Sequence, residues 1–189
     1  WLYLSSDRTV VNSHALKAHY QNVVRLKDDN PLEVIYNGSD FSSVPMQSTN
    51  AIKKELGVKS DEIAIVMVAR LDPWKDYETL FKSIRIVVDH NPKARFFVIG
   101  GGALKIVLEK KILDMMLVDN LSLVGEKSDI ASYIRFCDIS ILSTHGEGFS
   151  NAILESMGFG KPVIATAVGG HIELIGANEK YGVLVPPSS

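Results

Sequence analysis

The chain has 189 residues, of which 46% are apolar and 22% are charged, and its formal net charge is -2. These values are typical of a globular domain, and they exclude the broad positive charge of a nucleic-acid-binding protein. No apolar run approaches the ~20 residues of a transmembrane helix. The single cysteine, Cys137, excludes an internal disulfide and favours a reducing, cytoplasmic setting. Because the chain starts at Trp1 without a signal-like segment and stops soon after Pro187, we expect an excerpt of a longer protein.

The first part of the chain mixes short elements with polar segments. The elements predicted there are strands at Thr9–Val11 and 33–36 and helices at 13–21 and 52–56. A polar, turn-rich stretch at 42–49 separates the second strand from the second helix. We interpret this part as a linker that leads from an upstream domain into the remainder of the chain.

From residue 63 onward, apolar strands alternate with amphipathic helices. The predicted strands are 63–69, 94–99, 121–124, 139–142, 162–166 and 182–185, and the predicted helices are 77–90, 104–116, 129–137 and 151–159. Most of these strands are apolar on both faces, as parallel strands covered by helices on each side should be. The repeat therefore predicts an α/β fold with a doubly wound parallel sheet.

In such a sheet, ligands bind at the carboxyl ends of the strands, and three of the loops there carry unusual residues. The first loop follows the strand at 63–69 and contains Arg70 and Lys75. An arginine offers a planar set of donors to phosphate oxygens, and a lysine adds a mobile positive charge. The alternative is a solvated loop with two ordinary surface cations.

The second loop follows the strand at 139–142 and opens a helix. Its glycines would let the backbone approach a ligand, and the helix N-terminus near Ser150 and Asn151 would favour an anion. Glu147 and Glu155 would address different ends of that ligand, because carboxylates accept hydrogen bonds from sugar hydroxyls. The alternative is that Ser150 is only an N-cap and Glu155 only a surface residue.

The third loop, at 167–173, again leads from a strand through glycines to a helix. Its alternative interpretation is a tight turn in which glycines supply positive φ and Glu173 lies in the first helical turn. The glycine run at 100–102 does not fit G-x-G-x-x-G, because Lys105 stands where the third glycine belongs. This mismatch disfavours an NAD-linked dehydrogenase.

The sequence lacks the motifs of two further kinds of chemistry, metal binding and nucleophilic catalysis by serine. His145 lies two residues before Glu147, but the sequence contains no H-E-x-x-H and no evident third ligand, so we expect no metal site. The serines of this region lack the G-x-S-x-G setting of a nucleophile.

With these residues in place, the sequence from 34 to 187 resembles the nucleotide-binding half of the GT-B glycosyltransferases, in particular the retaining family 4 type. Five motifs occur in the family's order: the hinge segment at 34–40, G-R-L-x-x-x-K at 68–75, the strand and loop at 97–102, E-G-F-(G/S)-x-x-x-x-E with its following A-x-G-x-P-V-I-A from 146 onward, and G-G-x-x-E at 169–173. Two small residues depart from the pattern, since Ala69 replaces a glycine and Gly158 replaces an alanine.

The resemblance implies a role for each site residue. Arg70 and Lys75 would neutralise the donor diphosphate, and Glu147 would face the donor sugar; these three are the implied catalytic residues. Glu155 would bind the ribose hydroxyls. The residues implied in donor binding are Gly125, Glu126 and Lys127 near the nucleobase, Gly148, Phe149, Ser150 and Asn151 near the sugar and phosphate, and Glu155.

The resemblance also implies a function: transfer of a sugar from a nucleotide diphosphate sugar to an acceptor hydroxyl, with retention at the anomeric carbon. The donor would be a UDP- or GDP-sugar, with no tightly bound cofactor. The acceptor, a saccharide or a lipid-linked molecule, would bind to an N-terminal domain that this chain lacks. That missing half would also account for any association of a cytoplasmic enzyme with the inner face of the membrane.

In domain terms, residues 1–45 would be the tail of that N-terminal domain with the hinge, and residues 46–189 a C-terminally truncated, Rossmann-like donor domain. On its own the excerpt would bind nucleotide weakly and show little transferase activity. Two alternatives stay open: a GT-B nucleotide-sugar 2-epimerase, and a non-catalytic nucleotide-binding module.

Overall fold

A computed structural model describes residues 8–24, 32–40, 47–176 and 181–187. Within these ranges the strands are β1 (Thr9–Val11), β2 (Leu32–Val34), β3 (Ile63–Val68), β4 (Ala94–Ile99), β5 (Leu121–Gly125), β6 (Ile139–Leu142), β7 (Val163–Thr166) and β8 (Val183–Val185). The helices are α1 (His14–Val24), α2 (Thr49–Glu55), α3 (Tyr77–His90), α4 (Lys105–Asp114), α5 (Ile130–Phe136), α6 (Asn151–Gly158) and α7 (Gly169–Ile175).

The last six strands form one parallel sheet in the order β5-β4-β3-β6-β7-β8. This arrangement confirms the predicted α/β fold with a parallel sheet. The chain runs outward from β3 to β5 and then returns to place β6 on the other side of β3. Loops from the two halves of the sheet therefore meet at the carboxyl ends of β3 and β6, where such folds bind their ligands.

Apolar side chains on both faces of the central strands hold the sheet between its helices. In β3 the four consecutive residues from Ala64 to Met67 are all buried, and they divide between two core clusters. Helix α3 packs Leu80, Phe81 and Ile84 onto the sheet. Each fully buried side chain of this kind contributes ~1.5–3 kcal/mol relative to exposure, so the core fixes the strand ends that carry the loops.

Local signals in the sequence account for the elements predicted best. Helix α3 begins after Asp76, whose carboxylate accepts a hydrogen bond from the Thr79 amide at 3.0 Å, and it ends before Asn91 as predicted. Most other boundaries differ from the predicted ones by one to three residues. Of the predicted polar stretch at 42–49, residues 42–46 lie outside the described part of the chain.

The N-terminal segment forms a separate two-stranded sheet in which β1 and β2 pair in parallel. Helix α1 connects these strands and lies against α7, and Ser13 caps it by accepting a hydrogen bond from the Leu16 amide at 3.0 Å. This small unit therefore packs against α7, the helix that follows the third loop.

Candidate active site

Three loops meet at the carboxyl edge of the sheet: the β3 loop (residues 69–76), the β6 loop (residues 143–150) and the short connection from β7 into α7 (residues 167–168). Backbone hydrogen bonds hold the first two together, because the Asp76 amide donates to the Ser143 carbonyl at 3.2 Å and the His145 amide donates to the Trp74 carbonyl at 3.0 Å. The candidate residues of these two loops therefore lie in one region.

The clearest feature of this region is an ion pair between Lys75 and Glu147, which come from the β3 loop and the β6 loop. The Lys75 side chain is 13% exposed and that of Glu147 is 26% exposed, so the pair is largely shielded from water. A shielded pair interacts more strongly than a surface pair, but each partner also depends more on the other. The structure thus brings together two of the three implied catalytic residues.

Arg70 lies in a different environment from Lys75. Its guanidinium is 3.0 Å from the Asp72 carboxylate, and its side chain is 81% exposed. Together with the glycine run at 100–102, Glu126 and Lys127, it lines a cavity of about 600 Å³. Arg70 can therefore reach a ligand from the rim of the cavity.

The glycine run at 100–102 allows the loop after β4 to approach the β3 loop. A Cβ atom at Gly100 would overlap the Ala69 carbonyl, and one at Gly102 would overlap the Leu71 carbonyl. Both glycines have positive φ, at 144° and 152°. The run is therefore explained by close backbone packing between the two loops.

Glu155 lines a neighbouring cavity of about 430 Å³ together with Ser39, Asp40 and Asn151. Val68 and Ile130 line this cavity as well as that of Arg70, so the two cavities adjoin. Burial raises the pKa of the Glu155 carboxyl above its ordinary value. Glu155 is therefore partly buried at the wall of this cavity.

Residues at the start of α6 contact the N-terminal segment. The Ser150 hydroxyl accepts a hydrogen bond from the Ile153 amide at 3.3 Å, so Ser150 is an N-cap. Phe149 is buried, and its ring centroid lies 5.2 Å from that of Tyr36. The Asn151 side chain accepts a hydrogen bond from Asn37 at 2.8 Å. Segment 36–40 thus forms one wall beside the candidate donor-binding residues.

The residues implied near the nucleobase follow β5. Lys127 extends toward α2, where its amine donates to Glu55 at 2.6 Å and lies 5.4 Å from the ring centroid of Tyr133. The hydrogen bond to Lys127 lowers the pKa of Glu55, and the same bond raises the pKa of Lys127. The Lys127 amine is thus held by another helix, while its backbone remains beside the cavity.

Gly125 and Glu126, the other two residues implied near the nucleobase, both contact the loop after β4. Gly125 has a φ of 83°, and its carbonyl accepts the Gly100 amide at 2.9 Å. The Glu126 side chain lies against Gly101, where a Cβ atom would overlap it. The loop after β5 is therefore fixed against the loop after β4.

Glu173 departs from the predicted placement in the first turn of α7. Helix α7 begins at Gly169, so Glu173 is in its second turn, and its carboxylate accepts from the His14 and Ala15 amides at 2.9 and 2.8 Å. The Tyr36 hydroxyl also donates to it at 2.8 Å. Although burial alone would raise it, these hydrogen bonds lower the pKa of Glu173. Glu173 therefore caps α1 rather than its own helix.

The glycines of the third loop allow α7 to approach the β6 loop. A Cβ atom at Gly169 would overlap the Glu147 carbonyl oxygen, and one at Gly170 would overlap the Gly148 carbonyl oxygen. The Gly170 amide also donates to the Glu147 carbonyl at 3.3 Å. Both glycines thus lie inside the first turn of α7, where they fix the backbone of Glu147.

An apolar groove of about 390 Å³ lies on the α3 side of the sheet. Its lining consists of alanine, proline, larger aliphatic and aromatic residues, and hydroxyl residues, among them Ile84, Ile141 and Val185. Such a lining does not suit a diphosphate, so the candidate site remains at the loop edge. In the described ranges, no helix is both long enough and apolar enough to span a bilayer.

Comparison with known protein families identifies a match for most of this chain. The family described as "Glycosyl transferases group 1" matches residues 48–189. The chain belongs to this family. The match includes all three implied catalytic residues and the whole of the large sheet.

Relatives of this family member include enzymes of known activity. A Mycobacteroides abscessus protein named D-inositol 3-phosphate glycosyltransferase is 24% identical over 190 residues, covering 96% of this chain and 41% of the relative. An Escherichia coli protein named UDP-Gal:alpha-D-GlcNAc-diphosphoundecaprenol alpha-1,3-galactosyltransferase is 30% identical over 163 residues, covering 84% of this chain and 42% of the relative. The chain thus spans less than half the length of these two relatives.

Solved structures show the same fold. The crystal structure of Anabaena HepE in complex with UDP-glucose matches with a TM-score of 0.83 and 26% identity, over 97% of this chain and 51% of that one. Sucrose-phosphate synthase from Thermosynechococcus elongatus matches with a TM-score of 0.82 at 22% identity. The glycosyltransferase fold that the sequence motifs predicted is therefore confirmed.

Three buried polar residues near the candidate site were not identified from the sequence. The buried polar residues Thr144, Thr166 and His171 lie directly behind the Lys75–Glu147 pair, and the motifs gave them no role. A signal was present for the two threonines, since each lies at or just beyond the carboxyl end of a buried apolar strand.

Proposed function

We propose that this chain is the donor-binding half of an enzyme that transfers a sugar from a UDP-sugar to an acceptor hydroxyl with retention of configuration. The observation that carries the proposal is the shielded Lys75–Glu147 pair at the loop edge, beside two adjoining cavities that hold Arg70 and Glu155. Residues 46–189 form the donor domain, and residues 1–45 belong to the hinge and to the preceding domain.

The diphosphate of the donor lies between the β3 loop and the N-terminus of α6. Lys75 and Arg70 supply positive charge, and the first amides of α6, which have no partners within the helix, supply donors. As the bond between sugar and phosphate breaks, negative charge grows on the leaving phosphate. Groups that are already oriented toward that charge stabilise the transition state without having to reorganise.

Glu155 accepts hydrogen bonds from the two ribose hydroxyls of the donor. Its half-buried position fits this role, because a carboxylate that has lost part of its water regains hydrogen bonds from a bound diol. The adjoining cavities then hold the two ends of the nucleotide, with the base beside the backbone of 125–127.

Glu147 faces the donor sugar and accepts from its hydroxyls while Lys75 holds the carboxylate in place. Retention follows if the departing diphosphate remains on the face from which the acceptor attacks and receives the acceptor proton. The chain itself then contributes orientation and charge, and no covalent intermediate on a side chain is required.

Uridine is the base favoured by the relatives, because the Escherichia coli relative is named for UDP-galactose and HepE crystallised with UDP-glucose. The acceptor, a saccharide or a lipid-linked molecule, binds to a part of the enzyme outside this chain. We place the enzyme in the cytoplasm, with lipid-linked acceptors reached at the inner face of the membrane.

Calorimetry of the 189-residue chain with UDP, UMP and GDP tests this proposal. We expect UDP to bind more tightly than UMP, because only UDP places a second phosphate against Lys75 and Arg70. Glu109→Gln, at an exposed side chain of helix α4, is the matched control and should leave the affinity unchanged. Absence of binding by UDP at millimolar concentration, or equal affinity for UDP and UMP, would contradict the proposal.

A further inference from the structure

Three buried polar side chains lie behind the Lys75–Glu147 pair. Thr144 and His171 are fully buried and Thr166 is 3% exposed, so they cannot be donor ligands themselves. Buried polar groups are costly unless they are hydrogen-bonded, and both threonine hydroxyls and the His171 Nδ1 have partners, through which the three residues connect to the loops of the ion pair.

The Thr144 hydroxyl joins the two loops that carry the pair. Its Oγ1 lies 2.8 Å from the Trp74 carbonyl oxygen and 3.1 Å from the Gly146 carbonyl oxygen. These two carbonyls belong to the peptide bonds that immediately precede Lys75 and Glu147. One hydroxyl proton is therefore shared between the backbones of both partners, and Thr144 fixes their relative position.

Thr166 holds the backbone of Thr144 from the neighbouring strand. Its Oγ1 accepts from the Thr144 amide at 3.2 Å and donates to the Thr144 carbonyl at 3.0 Å. His171 Nδ1 lies 2.8 Å from the Thr166 carbonyl oxygen, and since a carbonyl only accepts, Nδ1 carries the proton. Burial lowers the pKa of His171, which keeps the imidazole neutral.

We propose that Thr144 is a positioning residue that sets the Lys75–Glu147 pair in the geometry that binds the donor diphosphate, with Thr166 and His171 holding Thr144 in place. The inference rests on the proposed function for its ligand. Whether Thr144 positions the Lys75–Glu147 pair is a separate question, and it can be tested without nucleotide.

Thr144→Val tests the inference, because valine preserves the shape of threonine and removes only the hydroxyl. Thr144→Ser keeps the hydroxyl and should restore the wild-type behaviour. Ser140→Ala is the matched control: Ser140 is equally buried and accepts from the Ser156 hydroxyl at 2.8 Å, but it lies within β6, away from the loops. Thermal unfolding of all three variants verifies that each one is folded.

The first measurement is the affinity for UDP and for UMP. In Thr144→Val we expect the affinity for UDP to fall by about tenfold while that for UMP is unchanged, because only the diphosphate contacts depend on the pair. A general loss of structure would weaken both nucleotides alike, and so would contradict a positioning role. Equal UDP affinity in wild type and Thr144→Val would overturn it as well.

The second measurement needs no nucleotide. Acetic anhydride labelling, quantified by mass spectrometry, compares Lys75 with Lys93, whose side chain is 61% exposed. We expect Lys75 to become severalfold more reactive in Thr144→Val but not in Thr144→Ser or Ser140→Ala. If the wild-type chain fails to discriminate UDP from UMP, the proposed function fails. The labelling still decides whether Thr144 positions Lys75. Unchanged reactivity of Lys75 in Thr144→Val would refute the positioning role.

Discussion

The two cations of the β3 loop have opposite environments although they are only five positions apart. Lys75 is 13% exposed and is held by Glu147, whereas the Arg70 side chain is 81% exposed and pairs with Asp72 of its own loop. Hydrogen bonds between loops hold the backbone at both positions, but only the Lys75 amine is held by a residue of another loop, whereas the exposed Arg70 guanidinium can adapt to a ligand. Changes at Lys75 should therefore affect both folding and binding, and changes at Arg70 should affect binding more than folding.

The largest effect is expected at Gly170, whose backbone contacts the loop that carries Glu147. In Gly170→Ala the new Cβ atom would overlap the Gly148 carbonyl oxygen, so we expect the free energy of unfolding to fall by about 3 kcal/mol. Urea denaturation measures this loss. Gly146→Ala is the control, since a Cβ atom there has nothing within 4 Å. A stability gain in Gly170→Ala, as expected for alanine in an open helix, would contradict the tight packing.

Lys75→Ala should produce the next largest effect, and it should affect two properties. Removal of the amine leaves Glu147 shielded from water without its partner, which we expect to lower the free energy of unfolding by about 2 kcal/mol. UDP affinity should fall about thirtyfold, because a charge-assisted hydrogen bond contributes ~2 kcal/mol. Urea denaturation and calorimetry measure the two quantities. The control Lys93→Ala removes an exposed pair with Asp61 and should change neither.

Arg70→Ala should separate binding from stability. The Arg70 side chain is exposed, and the Asp72 carboxylate, which is 18% exposed, keeps its hydrogen bond from the Trp74 amide at 3.0 Å when Arg70 is removed. We therefore expect the free energy of unfolding to fall by at most ~1 kcal/mol, less than in Lys75→Ala. UDP affinity should fall about fivefold, with UMP affinity unchanged. Calorimetry and urea denaturation on the same preparation provide the comparison. A stability loss as large as that of Lys75→Ala would show that the two cations do not differ in the way described.

The contrast between the two cations could not be predicted from the sequence, whereas much of the fold could. Helix α3 and strand β4 occur at the predicted residues because their signals are local: apolar spacing, the Asp76 cap and the stop at Asn91-Pro92. The order of loops at the carboxyl edge follows from the alternation of strands and helices. Arg70 and Lys75, by contrast, are both cations of the loop that follows β3, and no local signal in that loop shows which of them will be shielded.

The contacts that were missed join residues far apart in the chain. Lys127 pairs with Glu55, 72 positions away, and Glu173 accepts from the His14 amide, 159 positions away. Neither partner is marked by a motif, and the geometry appears only once the sheet order brings the segments together. The family pattern predicts which residue types act at the site, while the partners that orient them depend on the tertiary structure.

Glu155→Gln should have the smallest effect on stability. It should raise the free energy of unfolding, whereas the other changes lower it. Burial raises the pKa of Glu155 above the ordinary value of 4.5, so the folded chain takes up the proton more readily than the unfolded chain. The folded state is therefore favoured below that ordinary value, and this contribution is lost as the pH rises through the raised pKa. Glu155→Gln, which cannot ionise, should be slightly more stable than wild type at neutral pH and equal to it at pH below 4.5.

Urea midpoints across this pH range, with Glu109→Gln as the exposed control, measure the stability difference for Glu155→Gln. The same variant should bind UDP more weakly at neutral pH, because an amide replaces the carboxylate that we propose accepts both ribose hydroxyls. A residue whose removal raises stability and lowers binding is kept for its ligand, since the buried charge is unfavourable in the free protein and is compensated only when the donor is bound. If Glu155→Gln lost stability at neutral pH, the carboxylate would instead be a structural group, and the ribose assignment would fail with it.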